Sequence, residues 1–468
     1  KTISSLKLIG ACFLFAFFPI LLSDPHTDPT VTNLLLSILP LCVALGYLTP
    51  KLIDQFSQGN PHKAGRAYAI NIIGGILGPL FASYFLIPTF GIKLTLVLLA
   101  IPYGFLFLYS MYSNEVSKLF KWVIGIGGTF ATIVSLFFIT TLEFPMNMEK
   151  GSLVLRDSTA TVVAFGEGMD KELLVNGVGI ARLTPIVKMM AHLPLSIRSK
   201  KPESALIIAL GMGTTLRSAA SWGINVKGIE LVPSVVEAFP YYFKDFKSII
   251  EQPNVEVIVD DGRRYLNRTQ EKFDVITIDP PPPVEAASTS LLYSREFYKI
   301  IAEHLNKDGI FQQWFYDGEK KIFQAILRSL VDVFPHVRIY KSFNGSGFHF
   351  LASKEPFETP LSKDLVSNLP LLVKKDIVEW ASNSKSLNEI DRDNLVEDYL
   401  NRSFQKEVST VGLLNQKDKS IFISDDQRFY SPQDSPSPSP SPFQSMKTKP
   451  FLLFLCVFGR RFCNSLSL

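Results

Sequence analysis

Patterns for metal binding and for disulfide bonding are missing from this sequence of 468 residues. It has only four cysteines, and none lies between Cys42 and Cys456, so neither a disulfide framework nor a CxxC metal site is predicted. The six histidines are scattered without ligand spacing, which argues against a zinc enzyme. The net charge is only +4, which gives no sign of a nucleic-acid partner. We therefore expect neither a bound metal nor a nucleic acid.

Apolar residues are in excess, at 47% of the chain with 37 phenylalanines. The excess is concentrated in residues 1–145, where several stretches approach the roughly 20 residues that a helix needs to cross a bilayer. These stretches are 33–48, 68–88, 92–112 and 122–142, with a shorter fifth candidate at 8–22. We predict an N-terminal multi-pass α-helical membrane region of four to five spans, with the lipid bilayer as a partner.

The loops between these stretches give the membrane orientation only weakly. Loops 51–67 and 113–121 carry basic residues and loop 23–32 carries none, so the positive-inside rule makes the two basic loops cytoplasmic. Basic residues just beyond the last span weaken this bias, and the side of the soluble domain stays open. The stretch 8–22 has a signal peptide as its alternative. The sequence begins with Lys1 rather than methionine, which leaves room for helices upstream.

After about residue 151 the sequence pattern changes to short strands. Two β-rich runs over 151–184 predict a small β-hairpin subdomain. Over 185–355, apolar strands alternate with helices, which predicts an α/β domain with a parallel sheet covered on both faces. Residues 356–430 are expected to form a helical C-terminal extension, and the Ser/Pro-rich residues 431–468 are typical of a disordered tail.

The first two predicted strands of this domain end in residues suited to a nucleoside. The first ends in LIIALGMGTTLR, where Gly211 and Gly213 let the backbone turn tightly and approach a ligand, before a helix with free N–H groups. The second ends at Glu230, about twenty residues further on, where an acid can accept hydrogen bonds from both hydroxyls of a ribose. Ligands of such sheets bind at the carboxyl ends of the strands.

The next two strands end in acids. Asp260 and Asp261 precede Gly262 at the third end, and Asp279 closes the fourth. A single acid of this kind is more often a helix cap, but four strand ends together predict a ligand site. Acids suit a ribose and an adenine amine, which donate hydrogen bonds, whereas phosphates would require lysine and more glycines. The sequence therefore predicts an adenosyl sulfonium cofactor rather than NAD or ATP.

Four prolines follow Asp279. Proline fixes φ near about −65° and has no backbone N–H, so this loop is stiff, offers only carbonyl oxygens and favours an amine as the neighbouring group. A rigid linker without a chemical role is the alternative. We assign Asp279 as the catalytic residue, and Asp260 and Tyr293 to substrate binding. Tyr298 is a further candidate for the acceptor pocket, although both tyrosines could instead pack the helix onto the sheet.

The motifs HLPL, ALIIALGMGTTLR, GIELVP, VIVDDGRRYL, FDVITIDPPPP, LLYSREFY and LNKDGIFQQW, taken in order, resemble the spermidine synthase family. More narrowly, the chain resembles the membrane-fused spermidine-synthase-like proteins, whose linking helix is similar to 65–91 and whose C-terminal acidic motif is similar to 423–430. The resemblance covers 65–91 and 150–355. It implies a Rossmann-like S-adenosylmethionine-dependent methyltransferase fold and aminopropyl transfer from decarboxylated S-adenosylmethionine to a small amine in polyamine biosynthesis. A homodimer is among the expected assemblies.

The resemblance also assigns roles to the residues at the strand ends. It implies that the cofactor is held by Gly211 and Gly213, its ribose by Glu230, its adenine by Asp261 with Gly262, and that Asp279 faces the reacting side. Three positions depart from the family pattern: Met212 replaces an acid between the two glycines, Pro282 replaces the second acid of DSSDP, and Ile180 replaces a catalytic-loop glutamine. Two of the three acids that would bind a polyamine are thus absent, which is expected to change the acceptor or the rate.

Three functions stay open at this point. The first is aminopropyl or similar alkyl transfer to an amine by a membrane protein. The second is S-adenosylmethionine-dependent N-methyl transfer, because DPPP also resembles the (D/N)PP(Y/F) motif of amino-methyltransferases, with Pro282 at the aromatic position. The third is a non-catalytic membrane sensor or transporter that binds a polyamine or a nucleoside. The missing acids favour the third function, whereas Glu230, Asp261 and Asp279 favour the first two.

Overall fold

A computed structural model of the chain describes residues 4–22, 31–110, 117–137, 151–198, 200–280, 289–316, 320–357, 362–381, 387–404 and 407–408. The chain divides into two compact units, of which the first is formed mainly by Lys1–Met148 and the second mainly by Val162–Asp434. Each unit has a hydrophobic core of its own. The predicted tail at 431–468 and the acidic motif at 423–430 lie outside the described residues.

The first unit is helical. Its elements are α1 (Ser5–Phe15), α2 (Phe18–Leu22), α3 (Val31–Ser57), α4 (Pro61–Phe81), a π-helical turn (Ala82–Leu86), α5 (Ile87–Ser110) and α6 (Lys118–Phe137). Helix α4 begins with a proline at its first position, and the Asn60 side chain accepts a hydrogen bond of 2.9 Å from the N–H of His62. The core of the unit forms around α1, where Cys12 is fully buried and Phe13 stacks on Phe107 with ring centroids 6.5 Å apart.

Four helical stretches of this unit are long and apolar enough to cross a membrane. They are Ser5–Leu22, Thr32–Ser57, Pro61–Tyr109 and Lys118–Phe137. The predicted stretches 68–88 and 92–112 lie in one run of 49 residues, which is far longer than the roughly 20 residues of one crossing. A break at Gly91, whose φ is +74°, separates the two within that run.

The second unit begins with a small sheet of four strands in the order β1-β2-β3-β4. The strands are β1 (Leu153–Arg156), β2 (Thr161–Phe165), β3 (Glu172–Val175) and β4 (Val178–Arg182). Strand β3 is antiparallel to both β2 and β4. The subdomain is therefore larger than the single hairpin that the sequence predicted. The turn between β3 and β4 holds Asn176 and Gly177 at positive φ, which suits an Asn-Gly hairpin turn.

The main sheet of the second unit has eight strands in the order β12-β10-β11-β9-β8-β5-β6-β7. The strands are β5 (Ser204–Ile208), β6 (Asn225–Glu230), β7 (Val255–Val259), β8 (Phe273–Ile278), β9 (Leu305–Phe315), β10 (His336–Lys341), β11 (Phe348–Ser353) and β12 (Glu407–Val408). Strands β5 to β9 are parallel, and their order reverses between β5 and β8. This is the doubly wound arrangement of a Rossmann-like fold, which binds ligands at that switch point.

The sheet is mixed rather than wholly parallel, because β11 runs antiparallel to β9 and β10, and β12 runs antiparallel to β10. The reason is local. A short connection with Gly345 and Gly347 at positive φ joins β10 to β11, and so short a loop can only join antiparallel neighbours. The predicted parallel sheet is therefore correct for β5 to β9 and wrong for the last strands.

Helices cover both faces of this sheet. They are α7 (Pro185–Ser196), α8 (Thr214–Ala220), α9 (Pro233–Tyr242), α10 (Phe246–Ile250), α11 (Gly262–Arg268), α12 (Arg295–Glu303), α13 (Lys320–Val331), α14 (Ser362–Asn368), α15 (Leu371–Val378) and α16 (Glu389–Phe404). Helices α12 and α13 pack on one face, and both are strongly amphipathic. Helix α7 covers the other face, and α14 to α16 of the C-terminal extension pack around α7 through a second cluster of buried side chains.

Candidate active site

The carboxyl ends of β5, β6, β7 and β8 lie along one edge of the main sheet. Beyond the ends of the strands, hydrogen bonds join Ala209 N to Ile229 O at 3.0 Å and Asp279 N to Ile208 O at 3.4 Å. Asp260 N donates likewise to Glu230 O at 3.0 Å. Neighbouring strands are about 4.8 Å apart, so the order along this edge is Asp279, the turn after β5, Glu230 and Asp260.

The turn after β5 has a backbone conformation that favours glycine. Gly211 and Gly213 have φ of +54° and +83°, and Ala209 also has a positive φ, of +63°. A Cβ atom at Gly213 would lie 3.4 Å from the ring of Phe239, and one at Gly211 would lie 3.7 Å from Ala181 of β4. At Gly211 the turn therefore lies next to a small residue of the four-stranded sheet. A non-glycine residue at positive φ is often found where a site needs a particular backbone shape.

Glu230 ends β6 with its carboxylate directed at this turn. The side chain is only 7% exposed, and it accepts hydrogen bonds from Leu210 N at 2.8 Å and from Val232 N at 3.1 Å. Burial raises the pKa of Glu230, and the N–H groups of these neighbours act in the opposite direction. The backbone N–H groups of Gly211 and Leu231 also act on this carboxylate, which is therefore surrounded by donors from the turn and from the end of β6.

Asp260 and Asp261 have other partners. Asp261 caps α11 and accepts a hydrogen bond of 2.8 Å from Arg264 N, and the carboxylate of Asp260 is paired with the Arg264 guanidinium. These contacts favour the helix-cap alternative for Asp261. The other oxygen of Asp260 lies 3.8 Å from Arg268 Nη1, so two arginines neighbour this carboxylate. Gly262 has a packing role, because a Cβ atom there would overlap the side chain of Ile208.

Asp279 differs from these acids in its surroundings. The side chain is partly buried, and burial raises its pKa to about 7. Within the part of the chain that the structure describes, no group donates a hydrogen bond to this carboxylate. The loop with Pro282 that follows it lies outside the described residues. A carboxyl group with a raised pKa at the ligand-binding edge of a sheet is typical of a catalytic acid or base.

The two tyrosines assigned to the acceptor pocket lie in the hydrophobic core. Tyr293 is 2% exposed and meets Phe315 edge to face, with ring centroids 6.3 Å apart. Tyr298 is fully buried, and its hydroxyl donates to Gln313 Oε1 at 2.6 Å. Both rings pack α12 and the preceding turn onto the sheet. This burial argues against the assignment of Tyr293 to substrate binding and agrees with the packing alternative.

Trp314 is a site residue that the sequence analysis missed. Ile278 pairs with Gln313, so the next residue of each strand, Asp279 on β8 and Trp314 on β9, are neighbours on the same face. The indole N–H donates to Ser342 Oγ at 3.2 Å, and the ring lies against the backbone of Gly347. The partly exposed ring thus lies at the turn between β10 and β11, and only the backbone of Trp314 neighbours Asp279. The motif GIFQQWF contains this residue, but only the strand register connects it to Asp279.

The residues at this edge fit an adenosyl group better than a phosphate group. The turn carries no side chain at Gly211 or Gly213, and the side chain between them, Met212, is 3% exposed and offers no charge. The acids Glu230 and Asp279 are acceptors, which suit hydroxyl, amine and sulfonium groups. Among the described residues, no group of three or more His, Cys, Asp or Glu side chains is arranged to hold a metal ion.

A doubly wound sheet with a glycine turn after its first strand and an acid at the end of its second is the arrangement of Rossmann-like folds, which bind their ligands at this edge. The family described as "Spermine/spermidine synthase domain" matches residues 185–344, which contain these strand ends. The chain is therefore similar to this family over residues 185–344.

Relatives with curated names agree with this family. The chain is 35% identical over 169 residues to the polyamine aminopropyltransferase of Thermococcus kodakarensis, which covers 34% of this chain and 52% of that protein. It is 32% identical over 160 residues to the polyamine aminopropyltransferase of Thermotoga maritima, which covers 33% and 53% of the two chains. The chain thus spans about half the length of the curated relatives it matches.

Among solved structures, the spermidine synthase from Thermotoga maritima superposes with a TM-score of 0.39 at 24% identity, covering 48% of this chain and 86% of that one. The order and direction of the strands identify the Rossmann-like fold independently of this superposition.

Proposed function

We propose that this chain is a membrane-attached transferase that moves an aminopropyl group from decarboxylated S-adenosylmethionine to a small amine. The single observation that carries this proposal is the row of strand ends, where Glu230 and Asp279 stand on opposite sides of the glycine turn. The similarity to polyamine aminopropyltransferases over about a third of this chain supports the same reaction.

The nucleoside would lie across the carboxyl ends of β5, β6 and β7. Glu230 accepts hydrogen bonds from its ribose, and the glycine turn lets the backbone approach it without a side chain between them. Asp261 would accept from the adenine amine with the oxygen that does not cap α11. When bound, the sulfonium supplies an electron-poor carbon to which an amine nitrogen can bond.

Asp279 is the residue that handles the proton. Its pKa of about 7 keeps the carboxylate ionised at mildly alkaline pH, where it would bind the ammonium form of the acceptor and remove one proton to leave the neutral amine. The neutral nitrogen would then bond to the carbon as the bond from that carbon to sulfur breaks, and the sulfur would leave as a neutral thioether on the nucleoside.

N-methyl transfer with intact S-adenosylmethionine is the second candidate, and Met212 is the observation that favours it. Spermidine synthases resemble this chain but have at this position one of the acids that would bind the amine groups of a polyamine. Met212 is buried and uncharged, so no carboxylate at this position selects the decarboxylated cofactor.

Product analysis separates these candidates. The purified full chain is incubated with S-adenosylmethionine or its decarboxylated form, each labelled on the transferred group, together with a mixed pool of amines. An aminopropylated amine supports the proposal, and a methylated amine supports the second candidate. Binding of a polyamine or nucleoside without any labelled product would overturn both and favour a sensor or transporter.

The helices of the first unit are proposed to anchor the enzyme in a bilayer, with the side of the catalytic domain left open. The support is that four helical stretches have the length and the apolar composition of spans, and that no residue of α4 is buried by protein. A homodimer stays a prediction. The mass of the protein in detergent, measured by light scattering, tests it.

A further inference from the structure

The C-terminal extension contributes a buried carboxylate to the domain that carries the glycine turn. Asp376 lies on α15, beyond the region that matches the family, and is 7% exposed. Its Oδ1 is 2.9 Å from Arg217 Nη1 and 3.2 Å from Lys188 Nζ. Its Oδ2 accepts hydrogen bonds from Ser218 Oγ at 2.6 Å and from His192 Nε2 at 2.8 Å. One carboxylate thus joins two helices, α7 and α8.

The charge of this carboxylate is fixed by its neighbours. Burial acts to raise the pKa of Asp376, but hydrogen bonds from His192 and Ser218 and the charge of Lys188 outweigh burial and hold the pKa below its usual range. Trp222 Nε1 donates to His192 Nδ1 at 3.1 Å, so His192 carries its proton on Nε2 and donates it to Asp376. The Lys188 side chain is fully buried and also lies 4.1 Å from the ring centre of Trp380.

The two α8 residues in this cluster stand one turn beyond the glycine turn. Helix α8 begins at Thr214, directly after Gly213, and Arg217 N donates to Gly213 O at 3.0 Å. A side-chain contact that fixes Arg217 and Ser218 therefore also fixes the backbone at Gly213. Glu379, which accepts from Arg217 Nη1 at 2.7 Å, adds a second tie from the same extension.

We propose that Asp376 is a positioning residue, which holds α8 so that the glycine turn keeps the shape required to bind the adenosyl cofactor. This inference rests on the proposed function for the identity of the ligand. It gives the helical extension a role in the site, although none of its described residues lies at the strand ends. Loss of the Asp376 charge would leave Lys188 and Arg217 with fewer partners and would let α8 shift.

The first measurement needs no ligand. Hydrogen exchange of the backbone amides of residues 209–217 is compared in the full-length wild type and in Asp376→Asn, and we expect exchange about tenfold faster in the variant. The matched control is Asp274→Asn at the opposite edge of the sheet. Asp274 is 6% exposed, pairs with Arg198 at 2.7 Å and accepts from Glu203 N at 2.7 Å, so it should lose similar stability without a change at the turn.

A milder pair of variants covers the case in which Asp376→Asn does not fold. Ser218→Ala removes one donor to Asp376, and its control is Ser353→Ala, where a serine that is 1% exposed donates to Gly309 O at 2.8 Å. Faster exchange at residues 209–217 in Ser218→Ala alone supports the inference. Unchanged exchange there, or an equal change in the control, overturns it.

The second measurement adds the cofactor. Titration with S-adenosylmethionine and with its decarboxylated form should give a dissociation constant about tenfold higher for Asp376→Asn than for wild type, with Asp274→Asn unchanged. In turnover assays, Asp376→Asn should raise the KM for the nucleoside and leave kcat unchanged. If the wild type binds neither nucleoside, the proposed function fails, whereas the exchange measurement still decides whether Asp376 positions the turn.

Discussion

The backbone N–H of Leu210 donates a hydrogen bond of 2.8 Å to Oε2 of Glu230. This contact joins the turn after the first strand of the parallel sheet to the acid at the end of the second. Two features that the sequence presents twenty residues apart are therefore one structural unit. Any change at Glu230 should affect the shape of the turn as well as the binding of a ribose.

Glu230→Gln tests that unit. The glutamine keeps the size of the side chain, but it loses the charge and presents an NH₂ group to one of the two backbone donors. We expect the dissociation constant for the nucleoside to rise roughly 10- to 100-fold and the free energy of unfolding to fall by about 1–3 kcal/mol. Calorimetry and denaturant unfolding measure the two effects.

The control for this variant is Glu256→Gln on β7, an acid whose side chain is 57% exposed and pairs with Lys227 at 3.2 Å. It should change neither quantity measurably, since exposed ion pairs contribute little. Equal nucleoside affinity in Glu230→Gln and wild type would remove Glu230 from the site.

Asp279→Asn separates chemistry from binding. The amide cannot accept the proton of the acceptor, so we expect kcat to fall by at least about 100-fold. The nucleoside dissociation constant should stay within about twofold of the wild-type value, because Glu230 and the glycine turn are untouched. Asp332→Asn, at a side chain that is 55% exposed, is the control. A parallel loss of binding in Asp279→Asn would mean that Asp279 only shapes the cofactor site.

The pKa of about 7 at Asp279 predicts a pH dependence. The carboxyl group is protonated below pH 7 and cannot act as a base, so the rate should rise with pH through about 7. The Asp279→Asn variant should lack this limb of the profile. A wild-type rate that is flat between pH 6 and pH 8 would contradict the assignment.

Linkage gives a stability effect of defined sign for the same group. The folded pKa of about 7 is above the value of about 3.9 for an unfolded chain. Between these values the folded protein holds a proton that the unfolded chain has lost, so the contribution of Asp279 to stability is full below about pH 4 and is lost as pH rises through 7. As pH rises from about 4 to about 7, the melting temperature of Asp279→Asn should therefore increase relative to that of the wild type.

Much of the α/β domain could be predicted because the sequence patterns that indicate its strands and turns are local. An apolar strand that ends in GMG or in an acid is read directly from the sequence, and parallel strands bring such ends to one edge. The antiparallel edge was missed, since the glycines at Gly345 and Gly347 indicate a turn but not which strands it joins. For Tyr293 and Tyr298 the sequence left a pocket and a core open, because a polar aromatic side chain suits both equally well.

Other features depend on contacts between distant segments. Trp314 lies beside Asp279 only through the register of two strands that are separated by a loop and a helix. Lys188 and Asp376 are 188 positions apart, and as isolated charges on helical segments each is typical of a solvated surface. Nothing in their local sequence indicates that both are buried. The burial of these two residues, and therefore the role of the extension, depends on tertiary packing.

Gly262→Ala tests why α11 begins with a glycine. A Cβ atom at this position would overlap the Ile208 side chain, which is itself buried at the end of β5. We expect the free energy of unfolding to fall by about 1–3 kcal/mol as the helix moves away from the strand. Gly179→Ala on β4 is the control, because its Cβ would make an ordinary contact of 3.6 Å with Leu174. Equal denaturation midpoints for the two variants would contradict a packing role for Gly262.

Leu77→Lys tests whether α4 and the helical run that follows it cross a bilayer. Leu77 is 59% exposed in a helix that has no buried residue, so lipid rather than protein would cover it. A lysine near the centre of a span costs about 2.5–3.5 kcal/mol on an insertion scale. The wild-type chain should stay in membranes after alkaline extraction, and Leu77→Lys should lower the yield of the protease-protected fragment that contains residues 61–109. The matched control is Ile390→Lys on α16, where the side chain is 74% exposed in the second unit and the substitution should leave that yield unchanged. Release of the wild-type chain by alkali, or an equal yield for Leu77→Lys and wild type, would show that this run does not insert.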